Sequence, residues 1–320
     1  MPLRIGLVGA GPMGSLHARV LSGSDATELA WIADPDPDIG ERVAARFAAK
    51  WIPEPDFTGI DAAVIAAPTQ FHHVHAMAFI DAGVPLLVEK PIADTLAHVE
   101  EIIANSRRLG TVLMCGLLER FNPAVRTATE IARQPLHVNT VRHSPYAERI
   151  RTGVASDLLI HDIDLVLRLM GEAPVTLTGH YGYFEPRSTN RSEDVAEATL
   201  RFSGGQIASL SASRIAQHKI RSLTIGELGR QIEVDLLRQS ITIYRHVHES
   251  GFDEDAGYSQ QTIIEIPVVR HPGEPLQLQL AHFVDLIEGR ADPDAERDTL
   301  WLSHSLIDQV GASADDMDPR

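Results

Sequence analysis

A chain of 320 residues with 44% hydrophobic content is long enough for two globular domains, and its formal net charge of −16 argues against nucleic acid or an anionic membrane as partner. No apolar run approaches the roughly eighteen residues of a membrane helix, and the single cysteine, Cys115, excludes an internal disulfide and fits a reducing compartment. The first strand begins almost at Met1 and leaves no room for a signal peptide, so a cytoplasmic protein is expected.

The chain opens with Leu3-Arg4-Ile5-Gly6-Leu7-Val8, a short apolar run that reads as a buried strand. It breaks into Gly9-Ala10-Gly11-Pro12-Met13-Gly14, which fits G-x-G-x-x-G, and a helical pattern follows through Leu16, Val20 and Leu21. Gly9 allows the tight turn. Gly11 lets backbone amides approach a pyrophosphate. Gly14 lets the helix pack on the strand, with its N-terminus facing the anion. A second strand, Glu28 to Ala33, ends in Asp34, 20 residues beyond Gly14, where a ribose-binding carboxylate is expected. A carboxylate there repels a 2′-phosphate, and no basic residue follows until Arg42, so NAD is expected over NADP. The competing reading makes Asp34 a cap for the next helix.

That helix spans Ile39 to Ala49 and leads to a linker with Pro53 and Pro55. Ala62 to Ala67 is the third strand, apolar throughout as parallel strands are, and it ends in Pro68-Thr69 at the carboxyl edge, where ligands sit in doubly wound folds. His72, His73 and His75 open the next helix. No cysteine or carboxylate stands at ligand spacing, so they read as surface histidines rather than a metal site, with His72 near the cofactor. Pro85 to Val88 is the fourth strand and ends in Glu89-Lys90-Pro91, a charged pair that packing alone does not explain. A helix from Thr95 to Arg108 and a strand from Thr111 to Cys115 follow. Asn122-Pro123 reads as an N-cap with proline at the first helical position.

Beyond residue 121 the pattern changes to alternating strands: 136–143, 175–183, 196–202, 206–213, 221–225, 231–234 and 240–244, with Ser203-Gly204-Gly205 as a hairpin turn. The fold class expected is α/β plus α+β, a Rossmann domain over 1–121 followed by a domain over 122–320 with a large, mainly antiparallel open sheet. Two helices, 276–287 and 297–310, close the chain. One helix interrupts the strands, Ala155 to Leu165. Asp157, His161 and Asp164 fall on one polar stripe of it, opposite Leu158, Leu159, Ile163, Val166 and Met170. A carboxylate four residues from a histidine is what an oriented general base requires, and an exposed amphipathic face is the simpler alternative. The stretch from Arg142 to Arg151 holds Arg142, Arg149 and Arg151 just before that helix, a basic cluster suited to phosphate in an acidic chain.

These residues together resemble the Gfo/Idh/MocA oxidoreductases: Gly9 to Gly14, His17, Pro68 with His72, Glu89-Lys90-Pro91, Arg120-Phe121-Asn122-Pro123, and Asp157 with His161. The resemblance implies an N-terminal Rossmann domain and a C-terminal open sheet used for dimer or tetramer contacts. It implies cofactor contacts from Gly9, Gly11, Pro12, Met13, Gly14, Asp34, Pro68, His72, Glu89 and Lys90. It also implies a catalytic set at Lys90, Asp157 and His161, with Arg120 beside them for substrate; Arg149 is expected at the substrate from the basic cluster, not from the resemblance. Arg142 to Gly153 is similar to members that oxidise UDP-linked amino sugars. The activity implied is oxidation of a secondary hydroxyl of a sugar or nucleotide-linked sugar by hydride transfer to NAD. A keto-sugar reductase, an inositol dehydrogenase and a non-catalytic dinucleotide sensor are the alternatives.

Overall fold

A computed structural model describes residues 1–147, 152–188, 192–249 and 259–315. The chain divides into two compact units, the first made of Met1–Leu118 with Gly273–Ser305 and the second of Glu119–Pro272 with Leu306–Arg320. The sequence reading placed the division at 121/122 and gave both final helices to the second domain.

In the first unit, strands β1 (Leu3–Val8), β2 (Thr27–Ala33), β3 (Lys50–Ile52), β4 (Ala62–Ile65), β5 (Leu86–Val88) and β6 (Leu113–Cys115) form a wholly parallel sheet in the order β3-β2-β1-β4-β5-β6. Strands β4, β5 and β6 are buried at every position, as a sheet covered on both faces requires. Helices α1 (Pro12–Ser22), α2 (Pro37–Arg46), α3 (His72–Asp81) and α4 (Leu96–Leu109) connect them. Asp36 caps α2, accepting from the amides of Asp38 and Ile39, and Thr95 caps α4. The capping reading of Asp34 is thereby replaced: its neighbour does that work.

Helix α7 (Pro275–Ile287) packs on α1, which is why Gly273–Ser305 joins the first unit despite its place in the chain. Its buried side chains Leu276, Leu280, Phe283 and Val284 form one stripe at helical spacing. Helix α8 (Pro293–Asp315) follows, and its residues through Ser305 belong to this unit.

The second unit holds eight strands in the order β14-β13-β12-β11-β7-β10-β9-β8. They are β7 (His137–His143), β8 (Thr176–Gly182), β9 (Val195–Arg201), β10 (Ile207–Ser213), β11 (Ile220–Glu227), β12 (Arg230–Asp235), β13 (Ser240–Glu249) and β14 (Ser259–Glu265). All pairings are antiparallel except β7 with β10. Register aligns Leu177, Leu200, Ala208, Val138, Ile225, Ile232 and Ile243 across seven strands on one face. One residue on, Thr178, Thr199, Ser209, Asn139, Thr224, Glu233 and Thr242 make a polar row on the other. Helices α5 (Pro123–Ile131) and α6 (Ile160–Met170) pack against this sheet. A π-helical turn over Ala155–Leu159 leads into α6.

Candidate active site

Parallel pairing brings the cofactor-side residues of the first unit to one edge. β2, β1, β4 and β5 are neighbours, and their carboxyl ends carry Asp34, Gly9, Pro68 and Glu89-Lys90. Gly9 holds φ +98°, and a Cβ on Gly14 would lie 1.9 Å from the Gly9 carbonyl oxygen, so both glycines are sterically required. Gly11 differs: a Cβ there meets nothing within 4 Å. Space therefore opens above the N-cap of α1, where Gly11 provides no side-chain cap. Uncapped amides at a helix start beside open space fit a pyrophosphate, and Pro12 at N1 removes one donor that would otherwise need a partner. The Asp34 carboxylate accepts from the amides of Ala10 (2.7 Å) and Asp36 (2.9 Å), which ties the end of β2 to the glycine turn.

The loop after β5 is held from several sides. Glu89 is buried, and its Oε1 lies 2.7 Å from His17 Nε2 of α1. His72 is 1% exposed, which corrects the surface reading of that residue. Its Nδ1 lies 2.9 Å from the Pro91 carbonyl and its Nε2 2.8 Å from the Ala67 carbonyl. His72 thus fastens the end of β4 to the loop after β5. His73 and His98 do face outward, stacked at 4.0 Å, with carboxylates from Glu101 and Asp94 beside them.

The second unit contains a buried charge network. Arg142 on β7 points to the same sheet face as Val138 and Thr140 and is 2% exposed. Its guanidinium donates to Asp162 from Nε (2.9 Å) and Nη2 (2.7 Å), and to Glu119 from Nη1 (2.8 Å). Burial pushes the Glu119 carboxyl up, but the Arg142 and Arg221 guanidiniums outweigh it and leave it below its ordinary value. Burial wins at Asp162, which stays raised despite Arg142, while the two carboxylates raise Arg142 itself. A second fork joins Arg120, Nε to Asp164 Oδ2 at 2.7 Å, both side chains buried.

One expectation changes here. Arg142 is spent inside the protein and is withdrawn from the phosphate cluster. Arg120, expected at the substrate, is buried and donates to Asp164. Arg149 and Arg151 lie outside the described residues. The polar stripe also divides: Asp164 is buried and paired with Arg120. Asp157 and His161 both remain part-exposed at this turn. Asp157 Oδ2 accepts from Arg214 Nη2 at 3.0 Å, and Arg214 Nη1 donates to the Thr152 carbonyl at 2.7 Å. Glu193 accepts from the Ala155 amide, and burial raises its carboxyl.

Residues 3–117 match the model described as "Oxidoreductase family, NAD-binding Rossmann fold", and residues 127–234 match the "GFO/IDH/MocA C-terminal domain". The chain belongs to the Gfo/Idh/MocA oxidoreductase family. Among similar proteins, a UDP-N-acetylglucosamine 3-dehydrogenase of Acidithiobacillus ferrooxidans is 28% identical over 246 residues, 76% of this chain and 77% of that one. Inositol 2-dehydrogenase 1 of Saccharopolyspora erythraea is 28% identical over 302 residues, 89% of this chain and 86% of that one. The solved structure of the A. ferrooxidans enzyme GnnA shares the fold, with a TM-score of 0.87, 24% identity and full coverage of both chains.

As a Gfo/Idh/MocA protein, the chain has an NAD-binding first domain and a C-terminal domain built on a mainly antiparallel sheet. Among the described residues no cluster of ligands could hold a metal, and no helix is long and apolar enough to cross a membrane. Sequence reasoning did not find the buried carboxylates Glu119 and Asp162, nor Arg214 and Arg221. An arginine on the core-facing register of β7 was the one available signal. The partners of the network are too far apart in the chain to read as pairs.

Proposed function

We propose that the protein oxidises a secondary hydroxyl of a sugar or cyclitol, with NAD as the hydride acceptor. The observation that carries this reading is the Glu89-Lys90-Pro91 loop, fixed at the carboxyl edge of the NAD-binding sheet. An ammonium held there suits one task, hydrogen bonding a reacting oxygen and stabilising alkoxide character on it. His161 takes the hydroxyl proton as general base, and Asp157, braced by Arg214, orients the imidazole. Proton transfer of this kind contributes about 10²–10⁴-fold. The relatives named above act on a UDP-linked amino sugar and on inositol. Since Arg142 is internal, the case for a nucleotide-linked substrate rests on the first of these relatives.

We further propose that the protein works as a cytoplasmic homodimer or homotetramer assembled through the polar face of the eight-stranded sheet, where the Thr178-to-Thr242 row offers paired hydroxyls to a second copy. Sedimentation of the purified chain tests this, and a monomer at micromolar concentration refutes it.

NADH formation with UDP-N-acetylglucosamine, N-acetylglucosamine, myo-inositol and scyllo-inositol tests the activity. Lys90→Met and His161→Ala are each expected to lower kcat at least 100-fold with little change in NADH affinity. Asp157→Asn is expected to be milder. Near-wild-type turnover in His161→Ala would remove it as the base.

A further inference from the structure

We propose that His304, on α8, is a positioning residue for Lys90, the third of three buried histidines that clamp the loop carrying it. The proposal rests on the reading of Lys90 as the residue that meets the reacting oxygen. Glu89, Pro91 and Ile92 each have one of these rings on them. His17 Nε2 is 2.7 Å from Glu89 Oε1, His72 Nδ1 is 2.9 Å from the Pro91 carbonyl, and the Ile92 amide donates to His304 Nε2 at 3.1 Å. The three rings come from α1, α3 and α8 and are 5%, 1% and 6% exposed. The loop is thus gripped on both sides of Lys90, by an acidic side chain, a carbonyl and an amide.

The His304 contact is chemically specific. Its Nδ1 lies 2.7 Å from the Leu300 carbonyl, which only accepts, so Nδ1 carries the proton. That leaves the lone pair on Nε2, and a backbone amide points at it. Only the neutral Nδ1–H tautomer satisfies both neighbours. Ile92 is 0% exposed, so its amide has no water to turn to if the imidazole is lost. A buried amide left without an acceptor moves until it finds one, and the chain two residues upstream moves with it. Lys90 ends in a point charge on a flexible four-carbon stem, so the placement of its backbone decides where the ammonium arrives. A misplacement of about 1 Å at a reacting centre costs on the order of 10²-fold.

The test is a double-mutant cycle with an exchange measurement. His304→Leu, His304→Gln and His304→Asn are made alone, and His304→Leu also in Lys90→Met. The amide of Gln reaches the position of ring Nε2 and can accept from Ile92, whereas that of Asn reaches only Nδ1. With UDP-N-acetylglucosamine and myo-inositol as donors, His304→Leu is expected to lower kcat about 10–100-fold at nearly unchanged NADH affinity. His304→Gln recovers most of that loss, and His304→Asn does not. In Lys90→Met the further loss from His304→Leu falls to about threefold or less, because the effect passes through the lysine. Ile92 amide exchange, read by NMR without substrate, accelerates in Leu and Asn and stays slow in Gln. Equal kcat in Gln and Asn, or a full-size loss from His304→Leu in Lys90→Met, overturns the proposal. If Leu does not fold, the Gln and Asn comparison decides. A fully active Lys90→Met defeats the catalytic reading instead, and Ile92 exchange then decides the clamp alone.

Discussion

Arg142→Met gives the sharpest test of the buried network. Methionine keeps much of the volume and removes three charge-assisted hydrogen bonds, two to Asp162 and one to Glu119. It leaves two buried carboxylates facing each other, with Arg221 nearby, 3.4 Å from Glu119. Breaking a buried pair by removing one partner costs about 3–5 kcal/mol, and the structure offers little relief, because Asp162 is 3% exposed. The penalty has a predictable pH dependence. In the wild type the lowered Glu119 carboxyl contributes stability at neutral pH that is lost as pH falls through its folded value. The raised Asp162 carboxyl runs the other way: its contribution is present at acid pH and lost as pH rises through its folded value. Without Arg142 both carboxyls move up, so the deficit is largest near neutrality and shrinks towards the carboxylate range near pH 4. All three tryptophans, Trp31, Trp51 and Trp301, lie in the first unit, so their fluorescence does not report on β7. Urea unfolding followed by far-ultraviolet circular dichroism, with amide exchange of β7, is the appropriate assay. Adding Glu119→Gln and Asp162→Asn should restore most of the loss. A single Arg142→Met variant within about 1 kcal/mol of wild type at pH 7 would refute the reasoning.

Other substitutions separate fold from cofactor binding. Gly11→Ala should leave urea stability within about 1 kcal/mol and weaken NADH binding, because its Cβ enters open space at the α1 N-cap. Gly14→Ala should lose both, since its Cβ meets the Gly9 carbonyl; equal behaviour of the two would undo the assignment of the cradle. Asp34→Ser with Pro35→Arg should move kcat/KM towards NADP, and an unchanged ratio would reduce Asp34 to a brace for the Ala10 amide. Glu89→Gln should destabilise the chain measurably through His17, both side chains being buried at 2.7 Å, and a neutral outcome in thermal denaturation would contradict that.

The Rossmann half was readable because its signals are local. Gly9, Gly11, Gly14 and Asp34 sit in one βαβ unit, and each apolar run had the length of a buried strand. Strand β3 was missed because Lys50-Trp51-Ile52 is three residues long and sits against Pro53. Strand β14 was missed because Ser259-Gln260-Gln261-Thr262 does not alternate. The charge network was invisible for another reason. Glu119, Arg142 and Asp162 meet only once β7 and α6 have packed, and nothing local marks an aspartate inside an apolar helix face as paired rather than solvated. The π turn had no sequence signature either, and nothing local showed that Asp164 would be buried against Arg120 while Asp157 and His161 stay part-exposed.

The split make-up of the first unit bears on how the protein is born. A ribosome that has released Met1–Leu118 has delivered every strand of the NAD-binding sheet but neither α7 nor His304. The whole of the second unit's sheet must emerge before Gly273 appears. At about 5–20 residues per second the nascent sheet therefore waits many seconds with the α7-binding side of α1 bare. The dinucleotide half, first in the message, is completed only after every strand of the other sheet has emerged. A fragment cut at residue 121 is an interrupted domain, and its aggregation would say nothing about the stability of the finished fold.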